Sequence, residues 1–473
     1  MSLTDILLVG SITVVAAWWV VAPSRAQKWM RRAPAALIVL AALQIAIEGV
    51  YWQLFSGYVA IVVFGVLSLF RNTPRASGGL APKSGRIAIG ALALLVIAPW
   101  TLMPPVPELP KPYGPHAVGT QVFRWIDLAR GEAATEDAKD SRNVIVQAWY
   151  PARPGTRGKH SAYIDGLGRL PAKISLFPGF LLESYGRVDT HGLTGAAVAA
   201  DKPQWPVVVL SPGFGAPRAF YTSLAADLAS RGFVVLAIDH PFEVAVTQLA
   251  DGTIATQKND FPGGDDAAGT AYMVDKLATR VADIRFALDQ IARPDAVGST
   301  LAGHLDLQHI AAIGHSFGGA AAATAMLKDP RITAAANIDG TLYGPVIAAR
   351  LDRPFLLLES DHVETGHSAR NIADNTTLLD NMTGPGWHFE IKRANHYSFT
   401  DAPLFFAPPA RFALSLLIGG GRGPAETQRA AADIVEAFLS EPLTGKPANI
   451  AAAASRYTGI EGGPTKPRIA SYR

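Results

Sequence analysis

A serine sits among glycines in AAIGHSFGGAAAATAM, which begins at Ala311. A serine hydroxyl is a weak nucleophile near neutral pH. It attacks carbonyl carbon when a histidine takes its proton and a carboxylate orients that histidine. The six residues Gly314-His315-Ser316-Phe317-Gly318-Gly319 are common by chance, so their flanks decide what they mean. The apolar run before Gly314 reads as a buried strand, and the Ala-rich run after Gly319 as a helix. A nucleophile elbow belongs in that setting. Ser316 would occupy a strained turn, and side chains at 314 and 318 would strike neighbouring backbone, a clash that glycine avoids. Gly319 and the alanines let the helix lie against the sheet. The helix N-terminus adds partial positive charge near a developing oxyanion.

The partners should follow in the order Ser, acid, His. Five histidines adjoin or follow the elbow: His315, His362, His367, His388 and His396. His315, inside the elbow, is expected to point away. His388 lies within a strand. His362 and His367 share the polar loop DHVETGH, where a metal pair would lack further ligands. His396, in RANHYSFTD, follows the last strand by a few residues and can reach Ser316 as its base. Two acids compete: Asp339 ends the strand after the nucleophile's, and Asp361 ends the next one. Position alone slightly favours Asp361. Asp239, in IDHP, is a weaker third candidate, with a structural reading that extends to His240. An oxyanion hole needs two backbone N–H donors. Phe317, directly after the serine, supplies one. The glycine-rich SPGFGAPR (211–218) supplies the other, best placed at Phe214.

These groups need a scaffold. WPVVVLSPG, FVVLAID, HIAAIG, ITAAANID, PFLLLESD and WHFEIK are runs apolar on both faces, alternating with helical stretches such as 269–293. That pattern predicts a doubly wound, mostly parallel α/β sheet covered on both sides. QVFRWID and NVIVQAWYP read as an antiparallel hairpin at its edge. The catalytic domain spans about 121–440, with an aperiodic insertion at about 152–204 that reads equally as a lid or as a surface excursion. A tail follows at 441–473, loose and partly helical.

Of the 473 residues, 49% are hydrophobic and 17% charged, and the apolar excess is concentrated in 1–105. Four apolar segments there, about 3–21, 33–52, 53–70 and 87–103, are each roughly long enough to cross a ~30 Å hydrocarbon core. Asp5 and the missing basic n-region argue against a cleaved signal peptide. Arg25, Lys28, Arg31 and Arg32 follow the first segment, and Arg71, Arg75, Lys83 and Arg86 the third. The positive-inside rule then puts the catalytic domain outside the cytoplasmic membrane. Glu48 is expected at an interface. The Pro-rich stretch within 106–120 reads as a semi-rigid spacer. Beyond residue 105 the net charge is −3, and no basic patch of the kind nucleic acid needs stands out there. The absence of cysteine excludes disulfides, thiolate nucleophiles and Cys-ligated metals. No metal or cofactor is called for, and oligomeric state leaves no mark on the sequence.

Four ordered motifs resemble the plasma-type platelet-activating factor acetylhydrolases, over roughly 121–413. They are PVVVLSPGFGAPRAFYTSLAADLASRGFVVLAIDHP, LDLQHIAAIGHSFGGAAA with its preceding helix, NIDGTLYG and ANHYSFTD. The resemblance implies an α/β-hydrolase serine esterase that needs no metal and acts on short or oxidised sn-2 acyl chains of phospholipids at a lipid surface. It places the acid at Asp339 rather than Asp361, and the second oxyanion donor at Phe214. This chain departs from the family's animal enzymes by Pro212 where they carry His, by membrane helices in place of a secretion signal, and by the insertion. A broad carboxylesterase or polyester hydrolase is the rival within enzymes. A membrane sensor with a degenerate hydrolase domain is the rival outside them.

Overall fold

The computed structural model describes residues 2–21, 32–70, 83–174, 177–258, 260–262, 267–447 and 449–465. They form two compact units. One comprises Met1–Pro107, Leu181–Tyr185 and Phe405–Ala413, and the other comprises the rest.

The first unit carries helices α1 (Leu3–Val21), α2 (Ala33–Glu48), α3 (Phe55–Phe70) and α4 (Lys83–Leu102). Three stretches, Leu3–Val21, Trp52–Leu69 and Ser84–Leu102, are long and apolar enough to cross a membrane. The fourth expected span falls short. At 16 residues α2 is about 24 Å long, against a core of ~30 Å. Gly49 ends it with a φ of 78°, its N–H donating to Ile45 O. A 3-10 turn at Trp52–Leu54 then leads into α3. The apolar residues after Gly49 made the segment look continuous in sequence. Asp5 is tolerated in α1 because it is buried with partners: the Tyr51 hydroxyl and Gln44 Nε2 both donate to Oδ1. The orienting residues Arg25, Lys28, Arg31, Arg71 and Arg75 lie outside the described residues, whereas Arg32 precedes α2 and Lys83 and Arg86 open α4.

The second unit is a mixed α/β structure on a ten-stranded, mostly parallel sheet. Its strands are β1 (Ala117–Gly131), β2 (Ser141–Ala152), β3 (Gly192–Thr194), β4 (Trp205–Ser211), β5 (Val234–Asp239), β6 (Leu305–His315), β7 (Ile332–Ile338), β8 (Phe355–Ser360), β9 (Gly386–Ile391) and β10 (Ile460–Thr465). The spatial order is β10-β9-β8-β7-β6-β4-β5-β2-β1-β3. Every residue of β4 and β5 is buried, as strands covered on both faces require. Val207 and Val209 pack with α6 (Ala267–Ile291) and α7 (Phe317–Lys328). Val208 and Leu210 pack with α5 (Thr222–Ser230) and α9 (Pro424–Thr444) on the other face. A shorter helix, α8 (Ala369–Asn381), precedes β9. The chain runs from β4 to β5 on one side and returns in β6 on the other. Such a reversal opens a crevice at the carboxyl ends of the two strands. The loop after β4 and the elbow after β6 meet there.

Two stretches differ from their reading in sequence. From Glu108 the Pro-rich stretch belongs to the second unit: Gly114 N–H donates to Ser230 Oγ, and Arg429 lies 4.0 Å over the Tyr113 ring. In the tail, β10 pairs antiparallel with β9 along its whole length. IEGGPT has little strand propensity, so the pairing to β9 overrides it.

Candidate active site

The elbow follows from close packing. A Cβ on Gly314 would lie 2.1 Å from Gly318 O, and one on Gly318 would lie 2.0 Å from Ser211 O. A Cβ on Gly319 would meet the Asn337 side chain. Ser316 adopts φ 56° and ψ −127°, a conformation that L-residues rarely take. Its N–H is tied to Ile338 O at 2.8 Å, and α7 begins at the next residue.

Three expected side chains come together in line. Ser316 Oγ lies 3.0 Å from His396 Nε2, and His396 Nδ1 lies 2.7 Å from Asp339 Oδ2. The carboxylate can only accept, so Nδ1 carries the proton and Nε2 is free to accept from the serine. Asp339 also has a positive φ, 56°, and its Oδ1 accepts the backbone N–H of Ser360 at 2.7 Å. Burial on its own would raise the Asp339 pKa. His367 and His396 beside it outweigh burial and hold the carboxyl well below the usual range.

The rival acids are employed elsewhere. Asp361 caps the short helix His362–Thr365, accepting from Val363 N–H and Glu364 N–H, and also takes Arg393 N–H at 3.0 Å. Asp239 is buried in an ion pair with Arg218.

Several residues do more than the sequence suggested. His315 does not point away: its ring centroid is 4.6 Å from that of His396, and its Nε2 is 2.8 Å from His396 O. A carbonyl only accepts, so Nε2–H donates. Burial, with His396 nearby, lowers the His315 pKa to about 3, so the ring is neutral and Nδ1 accepts from the Tyr221 hydroxyl at 2.8 Å. That hydroxyl in turn accepts Gly213 N–H at 2.9 Å. One relay thus ties the loop after β4 to the loop that carries His396. His367, read only as part of a polar loop, brings Nε2 within 3.2 Å of Asp339 Oδ1. The spacing along the chain carried no signal for either contact, because both depend on how three loops converge.

The loop after β4 lies against Ser316: a Cβ on Gly213 would come 3.3 Å from Ser316 Cβ. Phe214 and Phe317 meet edge to face, with centroids 6.0 Å apart. Arg280, fully buried, donates to Pro212 O, pairs with Glu243 at 2.8 Å and stacks 4.7 Å over Phe317. It fixes the loop from beneath.

Residues 105–449 match the family model described as platelet-activating factor acetylhydrolase, isoform II. The chain belongs to this family. It is 26% identical over 328 residues to a probable 1-alkyl-2-acetylglycerophosphocholine esterase from Arthroderma benhamiae, which covers 62% of this chain and 76% of that one. It is 22% identical over 297 residues to the platelet-activating factor acetylhydrolase of Cavia porcellus, covering 56% and 63%. Among solved structures, the ferulic acid esterase of Streptomyces cinnamoneus superposes with a TM-score of 0.62 at 27% identity, over 75% of this chain and 99% of that one. Membership in this family makes the chain a carboxylic ester hydrolase.

Proposed function

We propose that this ester hydrolase is a membrane-anchored serine esterase that removes short or oxidised sn-2 acyl groups from phospholipids, working outside the cytoplasmic membrane. The observation that carries the reading is the line from Ser316 through His396 to Asp339, at 3.0 and 2.7 Å. Ser316 Oγ attacks the ester carbonyl as His396 Nε2 takes its proton. The oxyanion is held by the N–H groups of Phe214 and Phe317, assisted by the N-terminus of α7. His396 then protonates the leaving lysophospholipid oxygen. It next activates water to release the acid from the acyl-serine, while Asp339 holds the imidazole and stabilises its charged form. The named relatives support the phospholipid substrate, and the three apolar stretches of membrane-spanning length support the anchor.

Hydrolysis across phospholipids of graded sn-2 chain length tests the substrate. Acetyl and short oxidised chains should be cleaved fastest, and rates should fall as the chain lengthens. Equal rates on long-chain phospholipids would defeat the reading. The likeness to a ferulic acid esterase favours a second reading, a broad carboxylesterase without phospholipid preference. Faster turnover of soluble aryl and alkyl esters than of acetyl-phospholipid would select it.

A further inference from the structure

We propose that Glu359, His362 and His388 form a binding site for a divalent transition-metal ion, with zinc the best fit, beside the Ser316–His396–Asp339 line. This goes beyond the proposed ester hydrolysis, which requires no metal. The fold brings the three together from separate elements. Glu359 lies one residue before the end of β8, and His362 opens the short helix three residues later. His388 stands on the neighbouring strand β9, in register with Leu357. Glu359 Oε2 lies 3.0 Å from His362 Nε2 and 2.6 Å from His388 Nε2, and all three atoms fall within 4.8 Å of one another. An ion bound at about 2.0–2.2 Å to each would need only modest separation of these atoms.

The surroundings orient the ligands as metal sites require. Glu359 Oε1 accepts from Asn375 Nδ2 at 2.9 Å, which leaves Oε2 directed at the two rings. His362 is fixed by its own N–H, which donates to Glu390 Oε1 at 2.8 Å, and by the Asp361 cap on its helix. One carboxylate oxygen faces two imidazole nitrogens, so three donor atoms converge on one point. They are the donor set of a two-histidine, one-carboxylate site. Two nitrogens and one oxygen suit zinc, nickel or copper, whereas magnesium and calcium prefer all-oxygen shells. The Glu359 side chain is 3% exposed but those of His362 and His388 are 24% and 37% exposed, so an ion can enter and water can fill its fourth position. The similar cluster of His315, Asp339 and His396 is already committed to hydrogen bonds with Ser316, Tyr221 and the His396 carbonyl.

The site adjoins the acid. Ser360, directly after Glu359, donates its N–H and hydroxyl to Asp339. The His362 ring meets that of His367 edge-on at 4.8 Å. An ion would therefore pin the end of β8 that carries the Asp339 contacts.

The test uses the full chain, purified in detergent without a histidine tag and stripped with chelator. Calorimetric titration with zinc chloride should show one ion per chain. Binding should weaken by roughly tenfold or more in His388→Ala and in Glu359→Gln, while magnesium and calcium give no heat. Zinc should raise the melting temperature of the parent but not of His388→Ala. His388 is part-exposed, so its variant should fold even where Glu359→Gln does not. Zinc binding that is unchanged in a folded His388→Ala protein, or absent from the folded parent, overturns the proposal. Neither result bears on ester hydrolysis.

Discussion

Two Ser–His–Asp lines run through the α/β unit, and their distances barely differ. In one, Ser316, His396 and Asp339 are spaced at 3.0 and 2.7 Å. In the other, Ser211 Oγ lies 3.0 Å from His240 Nε2, and His240 Nδ1 lies 2.8 Å from Asp283 Oδ2. By side-chain geometry alone they are equivalent. Their settings are not. Ser211, His240 and Asp283 have no exposed surface, so no substrate can arrive. Ser211 lies in the regular strand β4, whereas Ser316 projects from a turn with positive φ at the head of a helix. Asp283 is also held by Arg142 at 2.7 Å and Arg130 at 2.8 Å, so its charge is spent on arginines. The buried line anchors the end of β4, from which the loop carrying Phe214 departs. On the proposed function, access, the strained turn and the oxyanion donors at 214 and 317 are what separate the Ser316 line from the buried one.

The largest expected effect breaks or keeps that distinction. Ser316→Ala should lower kcat on p-nitrophenyl acetate by roughly 10^4–10^6 and abolish fluorophosphonate labelling, with little change in melting temperature. Ser211→Ala should keep both activities and alter stability by about 1–2 kcal/mol. Loss of labelling in Ser211→Ala alone would invert the assignment. Next in size, Asp339→Asn should cost about 10^4 in kcat by favouring the wrong imidazole tautomer. Asp361→Asn should cost about 1 kcal/mol of stability at most, as a cap residue, and leave kcat unchanged.

This contrast shows what was legible. The apolar strands, the alternation with helices and the elbow glycines follow from periodicity and sterics, so the sheet and Ser316 could be read directly. His396 stood out by elimination and by its place after the last strand. Asp339 and Asp361 both end parallel strands; position slightly favoured Asp361, and only the resemblance to the family favoured Asp339. The roles of His315, His367, Tyr221 and Arg280 were out of reach, because each contact joins residues tens of positions apart through loops without periodic pattern. The four-span membrane reading failed at Gly49 because hydropathy averages over a single helix-ending residue.

Smaller effects sharpen the comparison. Asp283→Ala takes from Arg142 one of its two carboxylates, Glu132 remaining, and from His240 Nδ1 its acceptor, and should destabilise by about 3 kcal/mol. Chemical denaturation should show that loss while labelling per folded molecule is retained. Tyr221→Phe removes both the acceptor for Gly213 N–H and the donor to His315. It should lower kcat by roughly tenfold through misplacement of the loop after β4, with fluorophosphonate labelling slowed but complete. An unchanged kcat would reduce the relay to packing.

The smallest effect is on stability against pH. Burial lowers the His240 pKa, and burial with His396 nearby lowers that of His315 to about 3. Unfolded, both gain a proton near the ordinary histidine value of about 6.5, while folded each resists protonation to lower pH. Both contributions are therefore full above about 6.5 and decline as pH falls below it, that of His315 until about 3. Asp401 works in the opposite sense: burial raises it to about 7, so its contribution is present at low pH and lost as pH rises through about 7. The terms overlap and partly cancel in the parent protein, so variants must separate them. Denaturation midpoints at pH 7.5 and 5 should draw together in His315→Asn and spread apart in Asp401→Asn. If neither variant changes the gap, neither the buried His315 ring nor the buried Asp401 carboxyl sets acid stability.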